Sequence, residues 1–397
     1  SEVERVDIQL KGAGQTPYSR GGDGKSPVGP VVREYLVSEA MHHLGVPTTR
    51  ALAAIATGDP VYRSYQEPGA VLVRVAKSHL RFGSIQYFAM TKDGEGLAEL
   101  VSYAADRHFA DSVLAKNALS VEAKAEVLLE ETVKRIATLI AQWQSLGFVH
   151  GVMNTDNMLL SGETIDYGPC AFIDTFKADA KFSAIDTQGR YRLSNQPGIA
   201  HWNTSVLASC LLKVLNTKEE AAVAYAQTVV DEFPSWYTTA YKSQIAVKLG
   251  LDAFRPDDTQ LHDQFLTVLE RDALDHTLAY RWLVHEALQD GGHTPIGELF
   301  TPSEGLRTWV KDWQLRRADN GVENSETAHK MQHANPVVIP RNHQVAEAIA
   351  RAETGDYDYL QSAFERWKQP YEWQDQDRNW AATPEPSERV HQTFCGT

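Results

Sequence analysis

His150-Gly151-Val152-Met153-Asn154-Thr155-Asp156-Asn157-Met158-Leu159-Leu160 is followed closely by Ile165-Asp166-Tyr167-Gly168. Two oxygen donors, the Asn157 amide and the Asp166 carboxylate, stand nine residues apart, and Ser161-Gly162 between them suits a tight hairpin that brings them together. Mg²⁺ takes oxygen ligands, with one or two from the protein and the rest from substrate phosphates and water. Val152 cannot accept a proton, which leaves Asp156 as the carboxylate of this loop able to serve as a general base. The plainer alternatives are an Asx-type turn at Asp156-Asn157 and a simple turn at Asp166-Tyr167-Gly168.

The spacing of His150 and Asn157 is that of the kinase catalytic loop, H-R-D-x-x-x-x-N, with Asp166-Tyr167-Gly168 where D-F-G belongs. Val152 occupies the place of the catalytic aspartate. Either the chain is inactive or it applies an ATP-binding scaffold to other chemistry.

The 397 residues are enough for two packed lobes with a sizeable core, and 43% hydrophobic with 23% charged residues is ordinary for a globular protein. A net charge of -14 argues against a general nucleic-acid surface but leaves room for a local basic cleft that holds phosphates. No apolar run approaches the ~20 residues of a membrane helix, and Ser1-Glu2-Val3-Glu4-Arg5 does not open a signal peptide. Cys170, Cys210 and Cys395 show no C-x-x-C spacing, which favours a reducing compartment over a disulfide framework or zinc site. Cys395 falls in a tail expected to be mobile.

Residues 1–92 carry strand patterns and glycine. Val6-Asp7-Ile8-Gln9-Leu10-Lys11 alternates like a half-buried strand, Leu52 to Ala56 and Ala70 to Ala76 read as two more, and a helix is expected from Val31 to Leu44, closed by Gly45 and Pro47. From about Leu97 the pattern turns helical. Its clearest helix follows Ser120 as N-cap and ends at Gly147, with Ile136, Leu139, Ile140 and Trp143 on one face. A short strand pair is expected between Met158 and Phe176, residues 200 to 365 read as mostly helical, and a polar tail runs from 368 to 397. The divisions expected are 1–92, 93–367 and 368–397, an α+β arrangement with a β-rich N-lobe, a large helical C-lobe carrying the catalytic loop and metal site, and a C-terminal extension.

Candidate phosphate-binding groups cluster in the first division. Lys11 ends a strand and Glu34 lies on the next helix, so an ion pair that orients the lysine is geometrically plausible; a solvated lysine and a surface glutamate are the alternative. Gly21-Gly22-Asp23-Gly24 lets backbone N–H groups approach phosphate oxygens, although such a sequence also makes an ordinary turn. Arg74 interrupts the apolar run Val71-Leu72-Val73-Arg74-Val75-Ala76, so its guanidinium faces solvent from an edge strand, pairs with a carboxylate, or points into a site. Arg81 raises the same alternatives.

Taken together these segments resemble the selenoprotein O (SelO, bacterial YdiU) family of pseudokinases. The resemblance rests on Leu10-Lys11-Gly12-Ala13-Gly14-Gln15-Thr16-Pro17-Tyr18-Ser19-Arg20, Arg33-Glu34-Tyr35-Leu36, Ser38-Glu39-Ala40-Met41-His42 and Gly45-Val46-Pro47-Thr48-Thr49-Arg50-Ala51-Leu52. It rests equally on the loop quoted first, on Gln188-Gly189-Arg190-Tyr191, on Asn195-Gln196-Pro197 and on Cys395. It implies a bilobal protein-kinase-like fold and an ATP-dependent protein adenylyltransferase that binds ATP inverted and transfers AMP to Ser, Thr or Tyr hydroxyls, releasing pyrophosphate. Ordinary phosphoryl transfer, or a non-catalytic nucleotide-sensing scaffold, stands as the alternative. Lys11, Asp23, Gly24, Arg74, Arg81 and Asp166 resemble the nucleotide-binding set, Glu34 the residue that orients Lys11, Asn157 and Asp166 the ligands of Mg²⁺ or Mn²⁺, and Asp156 the base. Partners would be ATP and proteins bearing hydroxyls, with neither nucleic acid nor membrane, in the bacterial cytoplasm or, for a eukaryotic chain, the mitochondrion. Two departures stand out. The family's glycine-rich segment ending L-G-D-G-R does not precede Lys11, so the N-lobe reads as truncated at its N-terminus. Phe182 stands where some members place a cysteine that pairs with the terminal one, which puts a redox switch in doubt.

Overall fold

The computed structural model describes residues 5–17, 19, 21–63, 65–91, 93–288, 296–374 and 377–394. Its sheet is built on β4 (Gln66–Ala76), which pairs antiparallel along one edge with β3 (Arg50–Tyr62) and along the other with β1 (Asp7–Lys11) and β2 (Ser26–Pro27) placed end to end. β4 is therefore an interior strand, and the edge-strand reading of Arg74 is corrected. The alternation predicted in β1 is present with its faces reversed: Ile8 and Leu10 are 62% and 57% exposed, while Asp7, Gln9 and Lys11 are the half-buried positions. Polar side chains turn inward because the partners that satisfy them, Arg74 and Glu34, lie on that side.

Helix α1 (Val28–His43) begins three residues before the expected Val31. Gly29-Pro30 reads as a breaker, but proline is tolerated in a first helical turn, where its missing N–H would have no partner. Gly45, with φ +79°, follows the helix end as expected. Helix α2 (Phe82–Thr91) was not anticipated; helical structure starts there rather than near Leu97, and continues through α3 (Gly94–His108) and α4 (Ala110–Ala115).

The long helix α5 (Val121–Leu146) starts and stops where its capping signals place it. Ser120 Oγ accepts from Ala123 N, and Gly147 takes the left-handed conformation at φ +71°. Ile136, Leu139, Ile140 and Trp143 are all buried, each such side chain contributing about 1.5–3 kcal/mol of apolar burial. After α5, Phe148–Val149 (β5) pairs antiparallel with Ala171–Phe172 (β6). The strand pair expected between Met158 and Phe176 reduces to β6 alone. Met158 and Leu160 instead bond to the segment ahead of α2, through Phe82 N to Met158 O at 2.9 Å and Leu160 N to Leu80 O at 3.0 Å.

The remaining helices are α6 (Gln196–Leu215), α7 (Glu219–Asp231), α8 (Phe233–Lys248), α9 (Asp258–Arg271), α10 (His276–Leu288), α11 (Ile296–Leu299), α12 (Glu304–Ala318), α13 (Asn324–Ala334), α14 (Asn342–Glu353), α15 (Asp358–Trp367) and α16 (Asp377–Ala381). α5 packs on α6 and α8, whereas α14 and α15 return to cover α1. Tyr35 of α1 stacks on Phe364 of α15 at 5.3 Å, and Tyr371 OH donates to Leu44 O at 2.9 Å. The described part of the C-terminal extension is held by buried contacts: Asp377 pairs with Arg366, and Thr393 Oγ1 donates to Pro169 O at 2.6 Å. Cys395 lies outside the described residues. Among them, no helix is long and apolar enough to cross a membrane.

Candidate active site

The site assembles around Asp166. Its backbone is left-handed at φ +61°, unusual for a residue with a Cβ and costing about 1–3 kcal/mol, and Gly168 N returns to Asp166 O at 2.8 Å. This turn delivers the carboxylate to three cations. Oδ1 receives Arg74 Nη2 at 2.6 Å and Lys11 Nζ at 3.2 Å, and Oδ2 receives Arg81 Nη1 at 2.7 Å. Glu34 of α1 supports the same cations from behind. Its Oε2 takes Lys11 Nζ at 2.7 Å, and its Oε1 takes Arg74 Nε at 2.8 Å and Nη2 as well.

Arg74 is 1% exposed and Glu34 2%, so these charges exist only as a mutually neutralising group. Burial works against the ionised Asp166, but Arg74, Lys11 and Arg81 hold its carboxyl well below the usual carboxylate range. Burial likewise opposes ionised Glu34 before Arg74 and Lys11 pull its pKa down. Burial also opposes the Lys11 ammonium, and Glu34 and Asp166 more than reverse that, leaving it raised. All three groups are charged at neutral pH.

The loop before Asp166 is fixed by its own backbone contacts. Buried His150 stacks on Trp143 at 5.3 Å and its Nε2 bonds Ile165 O at 2.8 Å, joining the loop to the residue before Asp166. Burial lowers its pKa, so it acts as a neutral tie. Thr155–Asn157 forms one 3₁₀ turn. Asn157 Nδ2 donates to Val152 O at 2.9 Å, an orientation that leaves its amide oxygen as an acceptor. Val152, whose side chain offers no chemistry, thus serves through its carbonyl. Asp156 O accepts from Arg81 Nη1 at 2.6 Å, linking the candidate base to the cation cluster, and the Asp156 side chain lies over Gly83 of α2.

Asp23 and Gly24 lie elsewhere on the sheet. Asp23 is gripped by Arg63, with Nη1 to Oδ2 and Nη2 to Oδ1 both at 3.0 Å, and these bonds bring its pKa down to about 2. Gly24 has φ +66°, and a Cβ there would run into the Gly14 backbone, so only glycine closes this loop. Among the described residues no hydrogen bond or ion pair joins this pair to Asp166.

Sequence reasoning missed several supporting residues. Gln9 Oε1 accepts from Arg74 Nη1 at 2.7 Å, and its position two residues before Lys11 on the same strand face was the available signal. Gln196 of α6, wholly buried, accepts from His150 N and donates to Phe148 O, both at 2.9 Å. Asn203, two turns further along α6, donates to Met153 O at 2.9 Å. Only the fold could show that α6 underlies the loop. Arg63 carried no signal.

Among the described residues no group of three or more His, Cys, Asp or Glu side chains could hold a metal ion. The oxygen donors present, Asn157 and Asp166, suit a hard cation that draws its other ligands from phosphate and water.

The family model described as protein adenylyltransferase SelO matches residues 1–368. A protein nucleotidyltransferase YdiU of Geobacillus kaustophilus is 47% identical over 395 residues, covering 99% of this chain and 79% of the relative. Proteins of the same name from Rhizobium meliloti, 44% identical over 99% of the chain, and Maridesulfovibrio salexigens, 43% identical over all of it, are likewise covered over 79% of their length.

Proposed function

The chain belongs to the protein adenylyltransferase SelO family, and from that premise we propose how its residues divide the work of moving AMP from ATP to protein hydroxyls. The observation that carries the reading is the convergence of Lys11, Arg74 and Arg81 on Asp166, with Arg81 bound also to the backbone oxygen of Asp156, the residue before Asn157. Three cations gathered at one carboxylate form a polyphosphate seat, because phosphate oxygens satisfy guanidinium and ammonium donors at least as well as a carboxylate does.

Lys11, Arg74 and Arg81 bind the terminal phosphates, with Glu34 orienting Lys11 and Arg74. Asp23 and Gly24 belong to the nucleotide-binding set through the adjoining glycine loop. The acceptor oxygen of a Ser, Thr or Tyr attacks the α-phosphorus, the bond from that phosphorus to the bridging oxygen breaks, and pyrophosphate leaves. Asp156 takes the hydroxyl proton. Asn157 Oδ1 and the Asp166 carboxylate would hold Mg²⁺ or Mn²⁺, which when bound neutralises phosphate charge. A kinase-like bilobal arrangement, with residues 1–92 over 93–367 and an extension from 368 to 397, accounts for a site between the sheet and the helices.

The experiment is labelling of an acceptor protein with ATP carrying ³²P at either the α or the γ position. Label retained only from the α position is expected. Retention only from γ would make the enzyme a phosphoryl-transferring kinase, and retention from neither a nucleotide-binding scaffold.

A further inference from the structure

A second concentration of positive charge lies away from Asp166, between the end of β4 and the C-terminal end of α3. Arg5, Lys77, Tyr103, Asp106, Arg107, His108 and Arg135 line a cavity of about 480 Å³ there, and none of these belongs to the set around Asp166. Four cationic side chains sharing one cavity is unexpected in a chain of net charge -14.

The carboxylates nearby are committed. Asp7 Oδ1 is bound to Arg107 Nη2 at 2.8 Å, and Asp106 Oδ2, the acidic group of the lining, is bound to Lys124 at 2.6 Å. Glu163, buried behind the wall, accepts from Lys77 N at 3.2 Å and Ser161 Oγ at 2.8 Å, and burial raises its pKa. Among the described residues, Arg5, Lys77 and Arg135 form no ion pair.

Arg135 is half-buried over the Phe109 ring at 4.3 Å. It donates only to carbonyls, Ser161 O at 3.2 Å and His108 O at 3.0 Å. Arg107 is held rigid by Asp7, Lys77 O and Tyr103 OH, the last at 2.7 Å. The exposed Arg5 and Lys77 complete a wall whose inner members are fixed before any ligand arrives. His108, bonded to Ser78 Oγ at 2.7 Å, registers this field: burial, then Arg107, Arg135 and Lys77, bring its pKa down to about 4.

We propose that this cavity is a binding site for a small phosphoryl anion, of the class of inorganic phosphate or pyrophosphate, held by Arg5, Lys77, Arg107 and Arg135. Guanidinium groups match phosphate oxygens, Lys77 adds a point charge, and a multiply charged anion offsets Arg5, Lys77 and Arg135, which have no carboxylate partner among the described residues. The site stands apart from the nucleotide reading and does not depend on it.

The test is calorimetric titration of the full chain with inorganic phosphate and with pyrophosphate, in metal-free buffer of low ionic strength, where screening is least. Wild type, the double variant Arg5→Gln/Lys77→Gln, and Lys11→Met are compared. Both substituted cavity residues are exposed, so the fold is not at stake. Saturable binding by wild type is expected, including a site weakened about tenfold or more in the double variant and retained in Lys11→Met. His108, followed by NMR of its ring nitrogens, is expected to titrate at higher pH when the anion is bound. Absence of saturable binding, binding unchanged in the double variant, or binding lost in Lys11→Met would each overturn the proposal, the last by moving the anion to the Asp166 cluster.

Discussion

Glu34 holds Lys11 and Arg74 together, and almost no water reaches it. Glu34→Ala leaves a buried guanidinium sharing the single carboxylate of Asp166. Removing one partner of a buried pair costs about 3–5 kcal/mol, so denaturant unfolding is expected to show a loss of that order together with lost activity. Glu34→Gln, which keeps an acceptor oxygen, is expected to fall between wild type and alanine. Asp156 makes a different prediction, because its backbone rather than its side chain meets Arg81. Asp156→Asn is expected to lower turnover by about 10²–10⁴-fold, the worth of a general base, with ATP affinity nearly unchanged. Full turnover in that variant would remove Asp156 from the mechanism. Most of these residues were legible from type and spacing, since an arginine inside an apolar strand and a lysine at a strand end raise the question unaided. The Lys11–Glu34 pair was legible too, but the other partners were not, because the hydrogen bond from Arg74 to Gln9 spans 65 positions of chain.

At the scale of elements, the active loop is held from two sides. α6 ties it from beneath through Gln196 and Asn203, and α2 meets it through Gln86 Oε1, which accepts from Thr155 Oγ1 at 2.9 Å. α2 also supplies Gly83, where an added methyl would overlap the Asp156 carboxylate. Alanine suits a helix better than glycine by about 0.5–1 kcal/mol. Gly83→Ala is therefore expected to keep or slightly raise the melting temperature while cutting turnover, a split that a plain folding defect does not give. Equal activity in Gly83→Ala would show that Asp156 is free to shift at no cost. α2 escaped prediction because residues 1–92 read as strand patterns and glycine, with helical periodicity expected only from about Leu97. The reversed face of β1 escaped for a related reason: alternation reveals that two faces differ, not which of them the rest of the molecule covers.

Across the whole molecule, several buried cations have no ion pair among the described residues, and Lys248 is one of them. Lys248, at the end of α8, donates to Ser145 O and lies 3.8 Å from the Tyr280 ring centre, in an aromatic layer that also contains His262, bonded to Tyr280 OH at 2.8 Å. Burial lowers its pKa to about 7. A lysine near 10.4 when unfolded and near 7 when folded releases its proton on folding between those values. Stability is then lowest below pH 7 and rises as pH climbs from 7 toward 10. Lys248→Met removes the dependence, so its melting-temperature advantage over wild type is expected to be greatest below pH 7 and to shrink above it. An advantage independent of pH would mean that the ring and carbonyl already offset the desolvation of the ammonium.

Residue type and spacing were enough to locate the loop residues of the candidate site and the long helix α5. The loop from His150 to Asn157, the Asp-Tyr-Gly turn, the caps of α5 and the glycine after α1 all act through local rules of spacing, φ and hydrogen-bond supply, which need no knowledge of distant residues. It took the packed fold to show which face of β1 turns inward, that β4 is interior and buries Arg74, that α6 lies against the loop from His150 to Asn157, and that α14 and α15 return to cover α1. The physical reason is common to all four. Each depends on what opposes a surface across the fold, and burial free energy and charge neutralisation are properties of the pair in contact, not of either segment alone.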